Sequence, residues 1–306
     1  MGHMITVTEL TKRYGEYTAV DNVTFTCRSG QVTGFLGPNG AGKSTTMRVM
    51  TGLTPATSGT ALIDGVAYRD IPNPAAEVGV LLDASAQHAG RTGDEILRLA
   101  AMTIGAPRSR VDDMLELVGL TPDEAGRRVR NYSLGMRQRL GLANALMGDP
   151  RILILDEPAN GLDPAGIHWM RSLLRNYADR GGTVLLSSHL LHEIEIIADD
   201  LVVIGNGHIV AQGTKSELLA GTGTVVASTD DRTLADALDR AGLTVTRTAT
   251  GGLSVDAEPV DVGRIAAECS IALTELRRGD GAQLEEMFLS LTADTQREQR
   301  LTAGAF

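Results

Sequence analysis

Gly37-Pro38-Asn39-Gly40-Ala41-Gly42-Lys43-Ser44-Thr45 is the stretch that decides the architecture of this chain. Its glycines let successive backbone N–H groups turn inward on phosphate oxygens, and Lys43 sets a cation between the β- and γ-phosphates of a nucleotide. Ser44 offers a hydroxyl to Mg²⁺, and Thr45 can reach a phosphate. The pattern requires a strand before it and a helix after it, so that the helix dipole points at the anion. Both are legible: Gln31 to Leu36 reads as a short buried strand, and helical texture begins near Lys43. This is a P-loop, and it implies an α/β core with a parallel sheet.

Working outward, Ile5 to Thr26 alternates polar and apolar residues around a Tyr14-Gly15 turn, which predicts antiparallel strands. Asp64-Gly65 between two apolar triplets predicts a two-residue hairpin. From Thr92 the texture turns helical. Thr92 and Glu95 form a capping box, an apolar stripe through Ile96, Leu97, Ala100 and Ile104 follows, and Gly105 stops it. Ser109 opens a second helix ending at Gly119, and Thr121-Pro122 with Glu124 opens a third segment. Strands return at Arg151 to Leu155 and Thr183 to Ser187, with a helix between them starting near Pro164. The core therefore carries a helical insertion over about 92–147.

Past Gly221-Thr222-Gly223 the order becomes βαββαβ, which predicts a small α+β region of ferredoxin-like type. Its strands fall near 224–229, 243–248, 253–256 and 271–277, and its helices near 234–241 and 260–269. A last helix over Leu284 to Leu291 precedes a polar tail. The expected division is an ATPase domain over 4–220, an accessory domain over 224–291 and a tail over 292–306. Met1-Gly2-His3 reads as an addition ahead of a native start at Met4.

Four apolar residues, Ile152 to Leu155, run into Asp156-Glu157-Pro158. A buried strand that ends on a carboxylate suits a Mg²⁺ ligand, here Asp156. Glu157, one residue on, can take a proton from an attacking water.

Composition narrows the classes. Net charge is −10 and aromatic residues make up 3%, which argues against a nucleic-acid surface built on basic and stacking side chains. No apolar run reaches the roughly 18 residues that span a bilayer. The richest stretch, Thr183 to Ile204, is broken by His189, His192, Glu193, Glu195, Asp199 and Asp200. Cys27 and Cys269 form no metal or redox motif and read as buried reduced thiols.

Asn131-Tyr132-Ser133-Leu134-Gly135-Met136-Arg137-Gln138-Arg139 resembles the signature region of ABC ATPases, in the Tyr-Ser-Leu-Gly-Met form of bacterial antibiotic-export and lantibiotic-immunity branches. Ser133 and Gly135 match the widespread Leu-Ser-Gly-Gly-Gln version, while Leu134 and Met136 depart from it. Asn160-Gly161-Leu162-Asp163 resembles the D-loop, and Ser187-Ser188-His189 the switch-histidine motif. Asp280 to Phe288 resembles an acidic-aromatic tail of the same branch. The resemblance covers roughly 4–220 with every motif in family order.

The resemblance implies an ATPase using ATP and Mg²⁺, with two copies, or one copy and a second ATPase subunit, sandwiching nucleotide head to tail. Ser133 and Gly135 of one copy would close on the γ-phosphate held by the other, and Asp163 would cross the same interface. His189 would contact the γ-phosphate and steady Glu157, and Tyr14 would stack on adenine. A separate permease at the inner face of the cell membrane would move the cargo, with export of a drug, peptide or lipid-like compound as the branch's work. One position departs: where the family carries a glutamine after the strand over Val78 to Leu82, this chain has Asp83, and the nearest glutamine is Gln87. Either Asp83 binds Mg²⁺ or water there, or it caps the next turn and Gln87 swings in. The rival reading, a soluble ABC ATPase acting on ribosomes or nucleic acid, calls for long heptads or paired cassettes. About ninety residues without heptads separate Lys43 from Ser133, and there is one cassette.

Overall fold

The computed structural model describes residues 4–188, 191–219, 223–247 and 252–278. It divides into two compact units that meet in sequence at Gly213 and Thr214.

In the first unit, β1 (Ile5–Tyr14) and β2 (Tyr17–Cys27) form the antiparallel hairpin, and β4 (Ser58–Ile63) pairs with β1 on its other side. Ile5 and Val7 point inward, but the next buried pair is Leu10 and Thr11, because Glu9 has a positive φ of 49° and the register shifts there. Such a bulge turns the strand without breaking the ladder. The Asp64-Gly65 turn is closed by a bridge between Ile63 and Val66.

The second sheet has the order β5-β6-β7-β3-β8-β9. It is built from β3 (Val32–Leu36), β5 (Val78–Leu81), β6 (Ile152–Leu155), β7 (Thr183–Ser187), β8 (Asp200–Gly205) and β9 (His208–Thr214). The pairings β5–β6, β6–β7, β7–β3 and β3–β8 are all parallel. β3, β6 and β7 are buried at every residue, as strands covered on both faces must be. The helix α1 (Lys43–Met50) lies between the two sheets, with Met47 and Met50 in one core cluster with Val7, Leu10, Phe25, Phe35, Ile154 and Ile204. The rings of Phe25 and Phe35 meet at 5.3 Å.

The short α2 (Pro74–Glu77) leads into β5. The insertion holds α3 (Gly93–Ile104), α4 (Ser109–Leu117), the single turn α5 (Pro122–Ala125) and α6 (Leu134–Ala145). The Thr92–Glu95 box is made in both directions, and Gly105 ends α3 in the left-handed conformation at φ 77°. α6 returns the chain to the sheet so closely that Gly79 of β5 has no room for a side chain against Ala145. α7 (Pro164–Asp179) and α8 (Leu191–Ile197) complete the unit.

The second unit opens with α9 (Lys215–Leu219). It contains β10 (Thr224–Ser228), α10 (Asp231–Arg240), β11 (Val245–Arg247), β12 (Leu253–Val255), α11 (Pro259–Glu268) and β13 (Leu273–Arg278). Its antiparallel order β11-β12-β10-β13 is that of a ferredoxin-like sheet. Val226, Leu234, Leu238, Leu253, Val255 and Val262 make a separate core. The helix expected over 284–291 and the tail after it lie outside the described residues.

One expectation about the cysteines is corrected. Cys27, at the inward end of β2, is buried, but Cys269 follows the last turn of α11 and is exposed. Burial pushes the Cys27 thiol up to about 12. Because the folded value is raised, this contributes stability that is complete below the ordinary thiol value and fades as pH climbs from there to about 12. With a disulfide reagent at pH 8, one thiol per native chain should react quickly and the second only after unfolding. Rapid reaction of both in the native protein would contradict the burial of Cys27.

Candidate functional site

The parallel strands β3 and β6 end on one edge of the sheet, and the segments that leave them, with the end of the β1–β2 hairpin, build a cavity of ≈ 350 Å³. Tyr14, Tyr17, Ala19, Asn39, Gly40 and Gly42 line it, with Lys43, Ser44, Thr45, Asp156 and Glu157. Gly37, Pro38 and Ala41 belong to the same loop. Glycine is required at two of its positions: a side chain at Gly37 would overlap the Ile204 carbonyl, and Gly42 stands at φ 114° with the Ala19 carbonyl 2.7 Å from where a Cβ would sit. A slightly larger cleft of ≈ 370 Å³, between the end of α1 and β4, has no carboxylate, lysine or histidine in its wall. The chemistry sits in the first.

Lys43 is 7% exposed. Its ammonium donates to the carbonyls of Gly37 at 2.5 Å and Pro38 at 3.3 Å. Burial holds its pKa below the ordinary lysine value, and the charges of Glu157 and Asp156 work in the opposite direction. The ammonium is thus a desolvated cation facing two carboxylates across a cavity, a field that a polyphosphate can enter.

Asp156 and Glu157 are tied together by a side chain that sequence reasoning left without a role. Ser187, the last residue of β7, donates its hydroxyl to Asp156 Oδ1 and accepts the Glu157 backbone N–H at 3.0 Å. Gln138 of α6 donates to the Glu157 carbonyl at 3.1 Å. Glu157 itself sits at φ 51°, a conformation that costs a non-glycine residue free energy. Tyr17 is the other residue the sequence reading missed. It pairs with Tyr14 across the hairpin end, and the signal was its place three residues after Tyr14. Lys12 lies 4.8 Å over the Tyr14 ring.

Ser133, Gly135 and Asp163 form a second group that does not line this cavity. Ser133 caps α6, accepting the Met136 N–H at 3.2 Å, and Asp163 caps α7 through the Gly166 N–H at 2.9 Å. Between the caps the chain segments interlock. A Cβ on Gly135 would lie 2.7 Å from the Gly161 carbonyl, and one on Gly161 would lie 2.5 Å from Leu134 Cγ. Gly161 is left-handed at φ 76°. Of the two roles open to Asp83, the geometry supports the local one. Its carboxylate accepts the Ser85 N–H at 2.7 Å and the Ser85 hydroxyl at 2.5 Å, which hold its pKa below the usual aspartate value, and it does not line the cavity. The nearby amide of Gln87 packs beside Gly141 of α6. His189 lies outside the described residues.

Comparison with known proteins fixes the family. The ABC transporter family profile matches residues 20–160. A bacitracin transport ATP-binding protein of Enterococcus faecalis is 43% identical over 222 residues, covering 71% of this chain and 71% of that protein. The chain belongs to the ABC transporter ATP-binding proteins. A lantibiotic transport ATP-binding protein of Streptococcus pyogenes is 36% identical, covering 68% of this chain and 90% of the relative. Among solved structures, the ATP-binding subunit of an ABC transporter superposes with a TM-score of 0.65 at 29% identity, covering 70% of this chain and 91% of that one. A dimeric ATP-binding cassette in a post-hydrolysis state, bound to ADP and phosphate, shares the fold with a TM-score of 0.63 at 22% identity, covering 69% and 98%. This chain is accordingly the ATP-binding and ATP-hydrolysing subunit of an ABC transporter. Among its described residues no helix is long and apolar enough to cross a membrane.

Replacing Ser187 with alanine should deprive a buried carboxylate and a backbone N–H of their shared partner. The expected loss is about 1–3 kcal/mol of stability in a urea titration, with a fall in ATP turnover. An unchanged midpoint would mean that the bridge is not formed.

Proposed function

We propose that this subunit binds MgATP in the cavity between the P-loop and Asp156-Glu157, and hydrolyses it when two copies close head to tail. The observation that carries this reading is the meeting, in one cavity, of the Lys43 ammonium, the Ser44 hydroxyl and the Asp156-Glu157 pair. Tyr14 and Tyr17 offer rings to the base. The loop from Gly37 to Thr45 and the Lys43 ammonium hold the β- and γ-phosphates.

Ser44 and Asp156 fit Mg²⁺. Both are hard oxygen donors in the same cavity, and this ion takes one or two protein ligands and completes its shell with phosphate and water. When bound it neutralises charge between the β- and γ-phosphates. Glu157 accepts the proton of the attacking water, and His189, two residues after β7 in the sequence, is assigned to steady that carboxylate. Asp83 remains turned to Ser85, which leaves Gln87 for the family's glutamine role.

Ser133 and Gly135 at the N-terminus of α6, with Asp163 at the start of α7, are placed on a second copy's nucleotide. They lie outside the first cavity and expose an anion-accepting helix end. Residues 4–220 then form the ATPase domain, 224–291 an accessory domain and 292–306 a tail. A separate permease carries the cargo, and the subunit docks on it at the inner face of the membrane. The bacitracin and lantibiotic relatives support export of an antibiotic, peptide or lipid-like compound.

Glu157→Gln should slow hydrolysis by roughly 10²–10⁴-fold while leaving ATP affinity in place. With MgATP this variant should dimerise by light scattering, and with ADP it should not. Adding Ser133→Arg should abolish the dimer but keep nucleotide binding in each monomer. A dimer that tolerates Ser133→Arg would place the interface elsewhere, and wild-type turnover in Glu157→Gln would remove Glu157 from the role of base.

A further inference from the structure

We propose that Gln138 is a positioning residue that links the signature helix to the proton-accepting Glu157 of its own chain; this rests on the role of Glu157 set out above. Gln138 lies on α6 just over one turn from Ser133 and is 5% exposed. Its Nε2 donates to the Glu157 carbonyl at 3.1 Å. Its Oε1 is buried and, among the described residues, has no hydrogen-bond partner.

An amide buried with half of its capacity unmet is worse for stability than an apolar side chain of the same size. Packing alone would favour leucine or methionine at this place. What the amide adds is a single directed donor, and it points at one peptide. That peptide belongs to the residue whose backbone is strained: Glu157 stands at φ 51° and precedes Pro158, which restricts it further.

The strained unit is gripped at both ends from different parts of the fold. Ser187, at the end of β7, accepts its N–H, and Gln138, on the helical insertion, donates to its carbonyl. β7 is fixed in the parallel sheet, whereas α6 carries Ser133 at its N-terminus. A small displacement of α6, such as closure of Ser133 on a second copy's nucleotide would impose, moves Gln138 as part of the same rigid helix. The Glu157 carbonyl follows Gln138 while its N–H stays with Ser187, so the φ and ψ of Glu157 change and the carboxylate is re-aimed. In this account the signature helix reports on the nucleotide of one site and adjusts the base of the other.

The test uses the full-length protein with Gln138→Met, which keeps the volume and removes the donor, and Gln138→Glu, which can donate only when protonated. Gln138→Met should lower kcat about tenfold, with KM and MgATP affinity unchanged and a melting temperature no lower than wild type. In a Glu157→Gln background the same substitution should cause no further loss, since residues acting through one group are not additive. Gln138→Glu should recover kcat relative to wild type as pH is lowered from 8 to 6. Wild-type kcat in Gln138→Met, or an equal loss in both backgrounds, would overturn the proposal. Glu157→Gln alone tests the assignment of the base, so failure of that assignment is read separately. If Gln138→Glu does not fold, the methionine variant and its double mutant decide the matter.

Discussion

A buried lysine is an expensive residue, and the site is organised around the one at position 43. Its ammonium has left water, is satisfied by two carbonyls of its own loop, and looks across a cavity at Asp156 and Glu157. None of these charges is stable at that depth without the others or without a ligand of matching charge. The parallel sheet delivers all of them to one edge. β3 feeds the loop and Lys43, β6 leads into the two acids, and β7, lying between β3 and β6, ends on the serine that ties the Asp156 carboxylate to the Glu157 backbone. Ligands gather at the carboxyl ends of strands in open α/β sheets, and here the strand order shows why. A change in that order would separate the cation from the acids.

The proposed dimer adds a second requirement, completion from outside. The cavity contains the P-loop, Ser44, Asp156 and Glu157, but Ser133 and Asp163 stand apart from it as the N-caps of α6 and α7, with Gly135 in the first turn of α6. Their surroundings are not loose. Leu134, in place of the glycine of the widespread signature, packs where Gly161 has no side chain, and Gly135 in turn sits against the Gly161 carbonyl. The signature and the D-loop of one chain are therefore a single interlocked surface. This suits a surface that must meet another molecule as one piece.

The features legible in the sequence are the ones whose causes are local. The Thr92–Glu95 box, the Gly105 stop, the Asp64-Gly65 turn and the P-loop are each specified within a few residues, and the strand order of the second unit follows from its βαββαβ pattern. What stayed hidden depends on distant partners. Glu9 gives no sign of a bulge, because the shift is set by pairing with β2 and β4. Ser187 reads as part of a motif, yet its bridge to Asp156 spans 31 residues of chain. Gln138 reads as one more polar residue on a helix until the fold carries Glu157 to it. Cys269 belongs to a residue type that is usually buried, and its exposure reflects only its place at the end of α11. Asp83 occupies a family position, but a serine two residues on claims its carboxylate.

The central claim is that each working site takes its P-loop from one chain and its signature from another. Mixing two inactive proteins, Lys43→Ala and Ser133→Arg, tests it most directly. In a head-to-tail pair of unlike chains, one site collects both substitutions and the other collects neither. ATP turnover in the mixture should therefore rise well above the sum of the two proteins measured alone. A mixture no more active than that sum, under conditions where wild type turns over ATP, would contradict the shared site.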